Sequence, residues 1–92
     1  MEDIQISVHA QARIRQRGLK AEALDALITY GSYRRRGGAE LVFMDKKARA
    51  RAKDGLGVKA FARIESSFNT YVVVGDEGTL VTCAKRLKRL ML

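Results

Sequence analysis

The chain has 92 residues, of which 47% are hydrophobic, and a formal net charge of +8 at pH 7. Its length and apolar content predict a single globular domain over residues 1–92 and exclude a disordered chain. No apolar run approaches the roughly 18 residues of a membrane span, so no membrane partner is expected. The single cysteine, Cys83, cannot form an internal disulfide, and the polar, acidic first residues are not a signal peptide, which together predict a cytoplasmic protein.

Two helices are predicted at the start of the chain. Ser7 can cap the first, over residues 9–17, because its hydroxyl can accept a free backbone N–H, and Gly18 ends it. Apolar residues at the i, i+3, i+4 spacing predict a second helix over residues 20–30. Lys20 is a poor N-cap for this second helix.

A hairpin and a basic helix are predicted next. The stretches 32–36 and 39–44 are interpreted as strands, and the Gly-Gly pair between them can supply the positive φ of a hairpin turn. Asp45 is a good N-cap for a basic helix over residues 46–53. Because its apolar side chains are all alanines, this helix is expected to bury little and to tolerate charge changes without loss of stability.

The second half of the chain predicts a helix and another hairpin. Apolar residues at helical spacing favour a helix over residues 58–68, with a strand over the same stretch as the alternative. The apolar run 71–74 predicts a central strand, the residues 75–78 a turn, and the residues 79–84 the returning strand. The predicted fold is therefore α+β, with two N-terminal helices, an antiparallel sheet of about four strands and an inserted basic helix.

Clusters of basic residues are the main functional signal. A basic domain without a membrane segment is typical of a nucleic-acid binder, so RNA is the first expected partner and DNA the second. A merely solvated basic surface is the alternative. A tyrosine beside an arginine run can also stack on a base. The candidate nucleic-acid-binding residues are Arg13, Arg17, Tyr33, Arg34, Arg35, Arg36, Lys46, Lys47, Arg49, Arg51, Lys53, Lys88 and Arg89.

His9 is the only histidine of the chain. An imidazole can act as a general acid or base near pH 7, although a structural or exposed histidine is the plainer interpretation. One histidine and one cysteine far apart in the chain do not make a metal site, and no motif implies a cofactor. We therefore expect neither metal nor cofactor.

Two stretches of the chain resemble a family of small bacterial domains of unknown function. Residues 9–19 carry His-Ala-x-x-Arg-x-x-x-Arg-Gly-Leu, which resembles the family's opening His-Ala-x-x-Arg-x-x-x-Arg-Gly-Ile. Residues 71–82 are similar to its closing valine strand, acidic-Gly-Thr turn and Ile/Val-Thr strand. The family is similar in fold to the RelE/ParE toxins and, more distantly, to barnase-like and colicin-type ribonucleases. The resemblance implies a curved antiparallel sheet with helices packed on it.

The resemblance also implies a metal-independent ribonuclease of the toxin type. Lys85 and Arg86 are the candidates for stabilising charge on the phosphate, and His9 is a candidate base for the 2′-OH proton. Relatives often carry Gly-His-Arg where residues 84–86 are Ala-Lys-Arg. Two alternatives stay open: a non-catalytic nucleic-acid-binding module, and a toxin-fold domain that binds an acidic, antitoxin-like protein through the apolar tail residues within 87–92.

Overall fold

The computed structural model describes residues 5–85. In chain order the elements are β1 (Gln5–Ile6), α1 (Val8–Arg17), α2 (Ala21–Tyr30), β2 (Ser32–Arg36), β3 (Ala39–Phe43), α3 (Lys46–Leu56), α4 (Val58–Ile64), a 3₁₀ segment (Glu65–Asn69), β4 (Thr70–Gly75) and β5 (Thr79–Lys85). The predicted α+β class is confirmed.

The five described strands form one sheet in the order β1-β5-β4-β3-β2, with β4 in the centre as predicted. The pairs β2–β3, β3–β4 and β4–β5 are antiparallel, whereas β1 lies parallel to β5 and pairs Gln5 with Thr79. The sheet is therefore mixed and five-stranded, which corrects the expected antiparallel sheet of about four strands. A two-residue strand is too short to show the alternation by which strands are recognised in a sequence.

Both predicted hairpins are present, and glycine makes their turns possible. Gly37, between β2 and β3, has φ 60°, and Gly78, between β4 and β5, has φ 81°. This left-handed region is open to glycine at little steric cost. The two turns pair β2 with β3 and β4 with β5.

Strand β5 contains one extra residue opposite the step from Val73 to Val74 in β4. The extra residue is Val81, whose carbonyl accepts a hydrogen bond from the Ser7 hydroxyl at 3.4 Å. The same hydroxyl accepts the Ala10 N–H at 3.1 Å, so Ser7 caps α1 as predicted. One side chain therefore begins α1 and joins it to the bulge, which bends the strand.

The hydrophobic core lies between the helices and one face of the sheet. Val42 and Val72, on adjacent strands, share one buried cluster with Leu27 of α2 and Phe68 of the 3₁₀ segment. Each of these side chains is at most 1% exposed. Side chains alternate across a strand, so this face is apolar while the residues between them point to the other side.

The basic helix α3 is part of this core. Ala48 and Ala52 are fully buried, one turn apart, in the same cluster. The expectation that this helix buries little is wrong, because small side chains let a helix approach the core closely even when most of its residues are charged.

Helix α4 confirms the helical interpretation of the stretch that begins at residue 58. Phe61 and Ile64 are buried at helical spacing, but Val58 at the start of the helix is 67% exposed. The α-helix ends at Ile64, and Phe68 lies in the 3₁₀ segment that follows. Among residues 5–85, no helix is both long and apolar enough to cross a membrane.

Candidate nucleic-acid interface

Helix α1 lies along strand β5. At one end of the helix, the Ser7 N–H donates to the Leu80 carbonyl at 3.0 Å. At the other end, Arg17 and Lys85 line the same cleft. Ala10 is fully buried between these ends, and its small side chain lets the helix approach the sheet. The helix therefore carries its C-terminal residues to the end of β5.

Helix α1 ends at Gly18, which has φ 66° and ψ 29°. The Gly18 N–H donates to the Arg15 carbonyl at 3.2 Å, and the Leu19 N–H donates to the Ile14 carbonyl at 3.0 Å. This Schellman-type ending satisfies carbonyls that would otherwise lack partners. It holds the last turn of the helix, and with it Arg17, in a defined position.

A cleft of about 290 Å³ opens where α1 and β5 end beside the 3₁₀ segment. Two cationic side chains line it, Arg17 and Lys85, which we call the cationic pair. Three neutral polar side chains of the 3₁₀ segment also line it, and we call them the neutral trio: Ser66, Ser67 and Asn69. The other described lining residues are Gly18, Leu19 and Thr70.

Phe68 anchors the 3₁₀ segment that carries the neutral trio. Its ring is 1% exposed and lies 5.6 Å from the ring of Phe61, centroid to centroid. The N–H of Thr70 donates to the Ser67 carbonyl and closes the segment. With Phe68 directed into the core, the side chains of Ser66 and Asn69 remain exposed.

The charges that act on the Cys83 thiol of β5 come from two arginines of α1. Burial raises the pKa of the Cys83 thiol, and the guanidinium groups of Arg17 and Arg13 oppose that rise. Both cations therefore act on a thiol that lies two residues before Lys85, and residues i and i+2 of a strand share a face. Two of the predicted binding residues, Arg13 and Arg17, are thus gathered with the predicted catalytic residue Lys85 along the line where α1 meets β5.

His9 is not part of this group. It is exposed in the first turn of α1, eight residues before Arg17, which is about 12 Å along a helix axis. The candidate base His9 is therefore not brought together in this structure with Lys85, the candidate for charge stabilisation. The predicted residues Arg86, Lys88 and Arg89 and the apolar tail stripe lie outside the described residues.

The arginine run of β2 lies apart from the cleft. Strand β2 is at one edge of the sheet, three strand spacings from β5, which is about 14 Å. Within the run, Arg34 is exposed, and Arg35 forms an ion pair with Asp76 of the β4–β5 turn. The sequence left open whether the basic clusters converge, and the arginine run does not converge with Arg17 and Lys85.

Tyr33 also lies on β2, and its hydroxyl donates to the Ile28 carbonyl at 2.9 Å. Burial, and to a smaller degree the Glu40 carboxylate, raise the pKa of this phenol, which keeps it protonated as a donor. The residue is 45% exposed. Base stacking on Tyr33 remains a prediction for a second contact, away from the cleft.

Arg49 of α3 holds three elements together. Its Nε donates to the Met44 carbonyl at 3.2 Å, and its Nη2 donates to the Phe68 carbonyl at 3.1 Å. The guanidinium carbon lies 5.9 Å from the centroid of the Phe68 ring. The group predicted to contact phosphate therefore ties α3 to the end of β3 and to the 3₁₀ segment.

Arg51 has a similar role on another side of α3. Its Nε and Nη2 donate to the Tyr30 carbonyl at 3.3 and 2.9 Å, and Nη2 also reaches the Ser32 hydroxyl at 3.3 Å. By contrast, Lys46, Lys47 and Lys53 are exposed. The expectation that charge changes on this helix leave stability untouched is at odds with the contacts of its two arginines.

We expect Arg49→Gln to lower the free energy of unfolding by about 1–3 kcal/mol, because two carbonyls lose a charged donor. Arg49→Lys should also destabilise, since an ammonium keeps the charge but not the fork of donors. Lys53→Gln, an exposed change on the same helix, is the matched control. Thermal unfolding measures all three, and equal melting temperatures for Arg49→Gln and Lys53→Gln would contradict the structural role.

Among the described residues, no group of three or more His, Cys, Asp and Glu side chains is placed to hold a metal ion. Cys83 is a free, buried thiol. The described residues that line the cleft offer cationic and neutral hydrogen-bonding groups, a combination that suits a phosphate and a sugar.

Sequence reasoning missed the neutral trio. Ser66, Ser67 and Asn69 carry no charge and fit no motif. The two serines fall within the apolar spacing that predicts a helix, and Asn69 directly follows it. The available signal was the polar run on either side of Phe68, which marks the end of a regular helix.

No protein-family model, curated protein or solved structure matches this chain. The function proposed for the domain therefore depends on its charge and on the cleft.

Proposed function

We propose that the domain binds RNA, with a backbone phosphate held by the cationic pair in the cleft. The observation that carries this proposal is the meeting of Arg17 and Lys85, distant in the chain, in one cleft with three neutral hydrogen-bonding side chains. Guanidinium groups bind phosphate through two donors in a fixed fork, and ammonium groups act as point charges. The two cations thus complement each other on one phosphate.

The charge of the whole chain supports the same conclusion. A net charge of +8 attracts a polyanion at long range and speeds its encounter with the domain. Arg13 beside the cleft, with the exposed lysines of α3 and Arg34 further away, extends the positive surface. A polymer can contact several of these cations at once, whereas a single small anion cannot.

Binding is better supported than cleavage. Cleavage needs a base for the 2′-OH and an acid for the leaving oxygen, and His9 lies about 12 Å along α1 from Arg17. A ribonuclease that uses Lys85 for charge stabilisation remains the alternative. Incubation of the pure protein with mixed RNA in EDTA, followed by sizing of the fragments, distinguishes the two functions.

The cytoplasm is the compartment that we propose for this binding. Cys83 is a free thiol in the core, and the cytosol keeps thiols reduced.

Salt dependence of RNA affinity tests the proposal. For a single-stranded RNA, log affinity should fall linearly with log salt, with a slope of about −0.7 for each phosphate neutralised. Lys85→Gln should weaken binding by about tenfold at low salt, because a charged hydrogen bond is lost. It should also make the slope shallower, by at most about 0.7, since Arg17 still faces the same phosphate.

Lys59→Gln is the control for this measurement. It removes the same charge from an exposed position on α4 outside the cleft. We expect its slope to equal that of the wild type. A wild-type affinity that does not change between low and physiological salt would refute RNA binding. Equal effects of Lys85→Gln and Lys59→Gln would show that RNA does not bind in the cleft.

A further inference from the structure

The cleft contains more hydrogen-bonding groups than a phosphate needs. The cationic pair suffices for a backbone phosphate, and that group is the same in RNA and DNA. The neutral trio adds two hydroxyls and one amide to the same cleft. Groups of this kind bond to the sugar of a nucleotide as well as to phosphate oxygens.

Two members of the neutral trio lie on the same side of their segment. Ser66 and Asn69 are three residues apart in a 3₁₀ helix, and side chains at i and i+3 are superposed in this helix, about 6 Å apart along its axis. Phe68, which lies between these two residues in the sequence, points into the core and fixes the segment. The two exposed polar groups are thus held in one row beside the cationic pair.

We propose that Ser66 and Asn69 select ribose over deoxyribose by hydrogen-bonding the 2′-OH of the nucleotide whose phosphate occupies the cleft. This inference rests on the proposed RNA binding and names the feature of RNA that is read. The 2′-OH is both a donor and an acceptor, and a serine hydroxyl and an asparagine amide each offer both functions. Hydrogen bonding between these side chains and the 2′-OH requires no titratable group.

The lining of the cleft favours reading of the sugar over reading of the base. The described lining residues include no aromatic side chain on which a base could stack, and their one large apolar side chain, Leu19, is buried. Base recognition in single strands depends on such stacking. The selection should therefore hold for any base sequence.

The test compares three oligonucleotides of one base sequence: RNA, the 2′-O-methyl RNA, and DNA with deoxyuridine in place of uridine. The wild type should bind RNA about three- to tenfold more tightly than DNA, which is the usual effect of one neutral hydrogen bond. The 2′-O-methyl RNA, which lacks the donor, should bind like the DNA.

Ser66→Ala, Asn69→Ala and the double variant should lower RNA affinity toward the DNA value and leave DNA affinity unchanged. Thr29→Ala removes an exposed hydroxyl from α2 outside the cleft and should keep the full preference. Since Ser66 and Asn69 are exposed, melting temperatures should stay near that of the wild type.

The outcomes separate this inference from the proposal on which it rests. If Lys85→Gln weakens both nucleic acids equally but the double variant keeps the wild-type preference for RNA, ribose selection by these residues is overturned and RNA binding stands. A wild type that binds RNA and DNA equally also overturns the selection. If neither nucleic acid responds to Lys85→Gln, the proposed binding in the cleft fails as well.

Discussion

Phe68→Ala is expected to lower the free energy of unfolding by about 3–5 kcal/mol, the usual effect of removing a buried aromatic ring. The ring is 1% exposed and packs against Phe61, and it lies under the guanidinium of Arg49. A domain of this size is commonly stable by only about 5–15 kcal/mol. The variant should therefore melt at least about 12 °C below the wild type.

Thermal or chemical unfolding measures this loss, with Val58→Ala as the control. Val58 is 67% exposed, so its truncation should change stability by no more than about 0.5 kcal/mol. Phe68→Leu keeps an apolar side chain and should fall between the two, which keeps the comparison available if the alanine variant does not fold. Equal losses for Phe68→Ala and Val58→Ala would show that the 3₁₀ segment is not anchored by this ring.

The double variant Arg17→Gln/Lys85→Gln should lose most of the RNA affinity. Each charged hydrogen bond is worth about 1.5–3 kcal/mol, and each 1.4 kcal/mol is about tenfold in affinity. We therefore expect about 10²- to 10⁴-fold weaker binding at low salt. If both cations contact the same phosphate, the effects of the single variants should not add, and the double-mutant cycle measures their coupling.

Arg15→Gln/Lys59→Gln is the matched control for this pair. It removes the same two charges from exposed positions, one of them also in the last turn of α1 and neither in the cleft. Its affinity should fall by far less than that of the cleft pair, because only long-range attraction is lost. Comparable losses for the two double variants would mean that diffuse charge, and not the cleft, binds RNA.

Local signals predicted most of the fold. Ser7 and Asp45 cap α1 and α3, each by accepting a backbone N–H three residues later. Gly18 ends α1 with a positive φ, and Gly37 turns the first hairpin. These features are readable because capping and turn geometry depend on residues adjacent in the chain.

Contacts between distant residues could not be predicted in the same way. Strand β1 exists only because it pairs with β5, and its two residues show no pattern of their own. The contacts of Arg49 with the Met44 and Phe68 carbonyls depend on how α3 docks. In the sequence, this arginine looks like any other cation of a basic helix.

The candidate site could be predicted only in part, because it too depends on contacts between distant residues. Arg17 was predicted from its basic cluster and Lys85 from the family resemblance, but their meeting depends on α1 lying along β5. The neutral trio gave only the signal of a polar run around Phe68, which does not indicate a site because serine and asparagine are common in solvated loops. The arginine run of β2 was an equally strong signal in the sequence, yet the sheet places it at the opposite edge from β1, away from the cleft.

The hydrogen bond between Ser7 and Val81 joins residues 74 positions apart in the chain. Closing so long a loop is costly in entropy, and contacts of this kind slow folding. During synthesis, α1 with Arg17 emerges early, but β5 with Lys85 is added only after nearly all the preceding elements. A nascent chain consequently lacks the assembled cleft while it is still close to ribosomal RNA, so the order of the elements delays the RNA binding that we propose until β5 has been made.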